Sequence, residues 1–189
     1  MTPAGRDPAT RDDLLRALAD SANEIGGYFA GLDAAQFVDG NAAQWSPAHH
    51  LDHLIRSNLP VASGLGAARG RLQPLPAQHQ VRTHAQIRDD YRAVLATGGK
   101  AFGRLLPQPE GSQTELVERY VSSLNAVGEA LAHWTDAELD NWAMPHPALN
   151  VLSIREMALF TLMHNWHHLN GVRRQMLAPQ TVSTDNGAT

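Results

Sequence analysis

The sequence predicts an all-α fold, a four-helix bundle with a long crossover between the second and third helices. Apolar residues recur at three- and four-residue steps in four long segments, and no run alternates as a strand requires. The 189 residues, 43% of them hydrophobic, suffice for one domain with a substantial core. We place this domain at 10–177 and expect disordered ends at 1–9 and 178–189, where Pro, Gly, Thr, Asn and Asp are frequent.

The first two helices are predicted from an apolar stripe and from a start signal. The first runs from about Thr10 to Leu32, and a turn-rich stretch follows it. The second begins at Ser46, a capping residue that is followed by Pro47 at the first helical position. Pro60 should kink this helix, because its ring clashes with the carbonyl group four residues earlier.

The crossover is predicted at 72–112, where prolines and glycines break the pattern except for a helical piece near 84–96. The third helix follows at about 113–134. After it, the segment TDAELDNWAMPHPALN is predicted to form an irregular lid without strands, apart from a short turn that Thr135 and Glu138 could cap. The last helix starts at the capping box of Ser153 and Glu156 and is apolar on nearly all sides, as in a helix buried within a bundle.

Composition excludes several classes of function. The formal net charge is −4, so no basic field favours nucleic acid or anionic lipid. No run reaches the ~20 apolar residues of a membrane span, and the N-terminus lacks the apolar region of a secretion signal. We therefore expect a cytoplasmic protein. Because cysteine is absent, any metal must bind to nitrogen and oxygen ligands.

Three histidines form the candidate metal site. His164 and His168, in the segment HNWHHLNG, are four residues apart, which places both on one face of the last helix. His53, in WSPAHHLDHL, lies near the start of the second helix and would join them if the two helices pack together. Three neutral imidazoles would hold zinc or nickel with coordination positions left open, as in catalytic sites, and copper and iron also accept imidazole.

Four histidines near the three candidate ligands in the sequence are not assigned as ligands. His50 is the reserve ligand, since it shares a helix face with His53, as does His49. His167 points about 100° away from His168 around the helix and should contact a neighbouring helix or the surface. His146 is either a loop residue between two prolines or a residue at the rim of a metal pocket.

Two polar residues lie next to candidate ligands in the sequence, and three further histidines lie away from them. Asp52 and Asn165 are either groups that orient the ligand imidazoles or solvated polar positions. The remaining histidines are interpreted as loop or surface residues, and these are His79, His84 and His133.

The two histidine segments resemble the DinB/YfiT-like superfamily of metal-binding four-helix-bundle proteins. WSPAHHLDHL is similar to that family's second-helix signature ending in the ligand His53, and PHPALNVLSIREMALFTLMHNWHHLNGVRR is similar to its lid, capped last helix and ligand pair, His164 and His168. The resemblance implies an up-up-down-down bundle, often a homodimer, that holds a divalent metal. The chain departs from the family at His49, where an acidic residue is common, and at Asn165, where an aspartate often follows the first histidine.

Characterised members of that family include transferases and isomerases that use low-molecular-weight thiols. We therefore expect a metal-dependent enzyme, a thiol-dependent S-transferase or a hydrolase, that acts on a small molecule. The thiol would come from a cofactor, since the chain has no cysteine, and a metal lowers the pKa of a coordinated thiol.

Two alternatives remain from the sequence. One is a non-catalytic, stress-related protein that binds a metal or ligand and in which the ion is structural. The other is a bundle that keeps the histidines without a metal. A di-iron carboxylate site is disfavoured, because the paired Glu-x-x-His motifs are missing.

Overall fold

The computed structural model describes residues 8–41, 44–67 and 71–177, and these residues are mostly helical. The predicted disorder at the two ends concerns residues that lie largely outside this part of the chain. The helices, in chain order, are α1 (Arg11–Ala30), α2 (Ala34–Val38), α3 (Pro47–Gly66), α4 (His84–Ala96), α5 (Gln113–Ala132), α6 (Asp136–Leu139) and α7 (Ile154–Leu177).

The four long helices α1, α3, α5 and α7 are the four that the apolar periodicity predicts. Each of them packs against two of the others, with α5 and α7 both lying between α1 and α3. Their inward faces supply most of a single hydrophobic core. Helix α3 continues through Pro60 without interruption. Within the described residues, none of the helices is both long and apolar enough to cross a membrane.

Local capping signals fix where the helices begin. Ser46 accepts a hydrogen bond from the backbone N–H of His49 at the start of α3. At the start of α7, Glu156 donates its backbone N–H to Ser153 Oγ, while the Glu156 carboxylate accepts the backbone N–H of Ser153 at 2.6 Å. This reciprocal pair is the capping box that the sequence predicts.

The prediction that the chain contains no strands is wrong. A three-stranded antiparallel sheet is built from β1 (Gln73–Pro74), β2 (Trp142–His146) and β3 (Asn150–Ser153). Strands β2 and β3 form a hairpin that leads directly into α7, and β1 attaches the start of the crossover to β2. The segment predicted to be an irregular lid therefore begins with the short helix α6, which Thr135 and Glu138 cap as predicted, and ends in an ordered hairpin beside the last helix.

The crossover between α3 and α5 is fastened at both ends by buried carboxylates. Near its start, Glu156 accepts hydrogen bonds from His79 Nε2 (2.8 Å), the Arg82 side chain (2.8 Å) and the Arg82 backbone N–H (2.9 Å). Near its end, Asp52 accepts the backbone N–H of Gln108 at 2.7 Å. These contacts hold α4, and the single 3-10 turn that follows it at Gly103–Leu105, against α7 and α3.

Candidate metal centre

Three buried histidine side chains meet where α3 packs against α7. Nε2 of His164 lies 3.3 Å from Nε2 of His53 and 3.1 Å from Nε2 of His168. The three rings offer nitrogen atoms that lie within 4.8 Å of one another. The residues that the sequence singles out as metal ligands are thus brought together, and their arrangement could hold a metal ion.

The orientation of His53 is set by the crossover. Its Nδ1 lies 2.7 Å from the carbonyl oxygen of Leu105, in the 3-10 turn. A carbonyl oxygen only accepts hydrogen bonds, so His53 carries its proton on Nδ1 and donates it. The lone pair is then on Nε2, the atom that faces the other two rings.

His50 lies behind His168 and outside the cluster. Its Nδ1 is 2.8 Å from Nδ1 of His168, whereas His168 turns Nε2 toward His164. The two nitrogens of an imidazole lie at different positions of the ring, so His50 contacts the side of His168 that would remain free in a metal complex. His50 is therefore not placed as a fourth ligand.

Aromatic rings hold the cluster from two sides. Trp45 lies 5.1 Å from the His53 ring and stacks on His168 at 6.1 Å, with an interplanar angle of 15°. Phe160, one turn before His164, stacks on that ring at 5.4 Å and 17°. Such packing restricts the imidazoles to one orientation and keeps water from most of their surface.

Two of the remaining histidines take local roles. Nδ1 of His49 lies 2.7 Å from Oγ of Ser46, so this ring contacts the capping side chain where the family usually has a carboxylate. His167 is exposed and lies against the edge of the Tyr91 ring, with 5.7 Å between centroids. As the helical geometry predicts, His167 faces away from the three-histidine cluster.

His146 is held one side chain away from the cluster. Its Nδ1 accepts the backbone N–H groups of Ala148 (3.2 Å) and Leu149 (3.0 Å), so its proton is on Nε2. Its ring packs at 4.2 Å against Phe160, which stacks on His164. Burial, with a smaller contribution from Arg82, lowers the pKa of His146 to about 4, so the ring is neutral at pH 7.

Asp52 binds the part of the crossover that contacts His53. Its carboxylate accepts hydrogen bonds from Nε of Arg56 at 2.6 Å and from the backbone N–H of Gln108 at 2.7 Å. Gln108 lies three residues after Leu105, whose carbonyl group accepts the His53 proton. Asp52 is therefore not the solvated group that the sequence allows, since it is buried, and its hydrogen bonds go to arginines and to the crossover rather than to an imidazole.

Asn165 also has other partners than the imidazoles. Its amide nitrogen donates to Oδ1 of Asn58 at 3.0 Å and to the carbonyl of Thr161 at 2.8 Å. The Asn58 amide donates back to Asn165 at 3.3 Å. The pair is buried and ties α3 to α7, so its evident contribution is to helix packing.

Burial keeps the clustered imidazoles neutral. It lowers the pKa of His53, and it holds the pKa values of His164 and His168 well below their usual range, with the neighbouring imidazoles adding to the effect. Neutral imidazole is the form that binds metals. The cluster is therefore in the protonation state that coordination requires.

The donor set fits a divalent cation. With the His53 proton on Nδ1, Nε2 of His53 is an acceptor, and one N–H group on His164 can satisfy only one of its two neighbours. A cation among the three nitrogens would satisfy all three lone pairs. Zinc–nitrogen bonds of about 2.0–2.1 Å place neighbouring nitrogens of a tetrahedral site about 3.3 Å apart, close to the spacings of 3.3 and 3.1 Å in this cluster.

Sequence reasoning missed two contributors to the site. Trp45 precedes the cap of α3, where an apolar residue commonly packs on the fourth helical residue, here His50. That signal was available. The Leu105 carbonyl group was not predictable, because every residue has a carbonyl and only the path of the crossover selects this one.

Comparison with known proteins agrees with this arrangement. The family model of the DinB superfamily matches residues 35–171, a span that includes all three clustered histidines, the whole of α3, most of α7 and the whole crossover. No curated protein and no solved structure matches the chain. Because the family match extends over more than half of the sequence, the chain belongs to the DinB superfamily.

Proposed function

We propose that this protein is a metal-dependent enzyme acting on a small molecule, as a thiol-dependent S-transferase or a hydrolase. The observation that carries the proposal is the convergence of three Nε2 atoms, at 3.3 and 3.1 Å, on one point between two helices. His53, His164 and His168 would hold a divalent ion, zinc or nickel first and iron second. The order of the helices would be up-up-down-down, and the active form a homodimer.

The residues around the ion would keep it in place and leave it accessible. Leu105 and His50 accept or share the outer protons of His53 and His168, while Trp45 and Phe160 fix the planes of the rings. A divalent ion on three imidazoles supplies open positions at which water or a thiol loses its proton near neutral pH. Among the described residues, no fourth histidine, aspartate or glutamate joins the group.

The alternative is a non-catalytic protein in which the ion is structural. The burial of the three side chains favours this alternative, since His53, His164 and His168 are 5%, 6% and 8% exposed. An ion there would join α3 to α7 much as a structural zinc site stabilises a small domain. The two functions differ in whether an outside ligand reaches the ion.

Metal content tests the site itself. Protein purified without a histidine tag should retain about one equivalent of zinc, nickel or iron by elemental analysis, since three neutral imidazoles form one site. The double variant His164→Ala, His168→Ala should retain none. The matched control is His167→Ala, which removes an exposed histidine from the same turn of α7 and should leave the metal content unchanged.

Absence of metal from the wild type, even after incubation with each of the three ions, would contradict the proposal. Equal metal content in the double variant would show that the metal is bound elsewhere on the chain. Either result would leave the three histidines as polar residues of the core.

Access to the ion separates the catalytic function from the structural one. Protein loaded with Co²⁺ should develop a thiolate-to-cobalt charge-transfer absorption band when a low-molecular-weight thiol is added, because an open position binds the sulfur. The thiol should leave the metal content unchanged during the titration. A spectrum that does not respond to any thiol, with the ion still bound, would favour the structural function.

A further inference from the structure

His50 and His168 share one hydrogen bond whose direction decides whether His168 can bind a metal. Their Nδ1 atoms are 2.8 Å apart, so one of the two carries the proton. If it is on His168, Nε2 of the neutral ring keeps its lone pair and faces His164. If it is on His50, neutral His168 must carry its own proton on Nε2, and that proton blocks coordination.

The surroundings of His50 fix its ring in place for this contact. His50 lies three residues before His53, so α3 presents both rings on one face toward α7. Trp45 packs edge-on against His50 at 5.4 Å and stacks on His168. On α7 the ring lies beside Gly171, where an added Cβ would be 3.9 Å from Cε1 of His50, within ordinary van der Waals contact.

We propose that His50 is a positioning residue, which accepts the Nδ1 proton of His168 and thereby keeps Nε2 of His168 available to the metal. This inference rests on the proposed function, since it assigns His50 a role in holding the same ion. It parallels the contact of His53 with Leu105, in which an acceptor also holds the outer proton. Partners that fix the tautomer of a ligand histidine typically change metal affinity by about 10–100-fold.

The position of the proton can be observed in the wild type without metal. Long-range ¹H–¹⁵N correlation spectra of the chelator-treated protein at pH 8 should show His168 with its proton on Nδ1. Most neutral histidines in solution carry the proton on Nε2, so the result is diagnostic. A His168 spectrum with the proton on Nε2 would overturn the proposal, whether or not the protein binds metal.

Metal affinity gives the second readout. His50→Phe fills similar space without an acceptor and should weaken zinc binding about 10–100-fold in a competition titration. His50→Gln keeps an acceptor oxygen and should lose less. The matched control is His167→Phe, at an exposed position of α7 that faces away from the cluster, and its affinity should equal that of the wild type.

The outcomes separate failure of this inference from failure of the proposed function. Zinc binding in the wild type with equal affinity in His50→Phe would overturn the role of His50 and leave the metal site intact. Failure of the wild type to bind zinc, nickel or iron would contradict the proposed function, and the spectra would still report where the His168 proton lies. If His50→Phe does not fold, His50→Gln and the wild-type spectra decide.

Discussion

Replacing Glu156 with alanine should lower the free energy of unfolding by about 3 kcal/mol, because a buried carboxylate with several donors is lost. The carboxylate is inaccessible to solvent and accepts hydrogen bonds from His79, Arg82 and the backbone of Ser153. Burial alone would raise the pKa of Glu156, but these donors outweigh it and lower the pKa. The charged carboxylate is thus part of the folded structure.

Loss of the Glu156 carboxylate should destabilise the crossover as well as α7. Glu156 connects the cap of α7 to residues 79–82, which precede α4, and α4 carries the Tyr91 ring to 5.2 Å from Phe160 and 6.0 Å from His164. Without the carboxylate, residues 79–82 lose their hydrogen bonds to the start of α7. We therefore expect faster cleavage within 72–112 by a protease at concentrations that leave the wild type intact.

Urea denaturation of Glu156→Ala, Glu156→Gln and the wild type measures the effect. Glu156→Gln keeps the shape but loses the charge, so its stability should lie between the other two. Glu115→Ala is the matched control, because Glu115 forms the same capping box with Ser112 at the exposed start of α5 and should matter less. Equal losses for the alanine variants at 156 and 115 would mean that only the cap matters and that the crossover contacts contribute nothing.

The helices were predictable because their signals are local. The periodic apolar positions of α1, α3, α5 and α7 lie within each helix, and the capping residues lie within four positions of the helix starts. The predicted helical piece at 84–96 matches α4, although its surroundings are rich in proline and glycine. No knowledge of the tertiary structure is needed for such assignments.

The small sheet was not predictable in the same way. Strand β2 contains Pro145, and Pro147 follows it in the turn, residues that argue against a strand in any sequence pattern. Asn150 adopts a left-handed conformation with φ of 61° and begins β3. The ribbon is defined by pairing between β2, β3 and the distant residues 73–74, which no short window of sequence contains.

The candidate site, like the fold, has a part that local sequence predicts and a part that only the tertiary structure defines. A four-residue spacing on one helix was enough to pair His164 with His168, and the cap of α3 placed His53 on a second helix. The acceptors of their outer protons could not be read from the sequence, since one is the backbone of the crossover and the other depends on how α3 meets α7. Spacing thus predicts the candidate ligands but not the partners that orient them.

The metal-free protein should unfold in mild acid, because it buries several histidines in the neutral form. Burial lowers the pKa of His50 and of His146 from 6.5 to about 4. It also lowers the pKa of the three clustered histidines, His53, His164 and His168. In the unfolded chain each of these rings takes up a proton near pH 6.5.

Acid lowers the stability of the metal-free protein, because the unfolded chain takes up more protons than the folded one. Below pH 6.5 the unfolded state binds more protons than the folded state, so the free energy of unfolding falls as the pH falls. Each such histidine contributes about 1.4 kcal/mol per pH unit until its folded-state pKa is reached. The contribution is complete above pH 6.5 and, for His50 and His146, is lost between pH 6.5 and about 4.

His50 and His146 together give about 2.7 kcal/mol per pH unit, a large fraction of the stability of a small domain, and the three clustered histidines lower stability in the same direction. Urea denaturation of chelator-treated protein should therefore show constant stability above pH 7.5 and a steep loss below 6.5. His146→Gln, which removes one partly buried histidine outside the cluster, should reduce the slope by about 1.4 kcal/mol per unit. Zinc should raise stability by a similar amount at all pH values at which the folded cluster stays neutral, because protons compete for the same nitrogens only once these buried rings take them up. Stability that does not change between pH 7.5 and 5 would mean that the histidines take up protons in the folded protein as readily as in the unfolded chain.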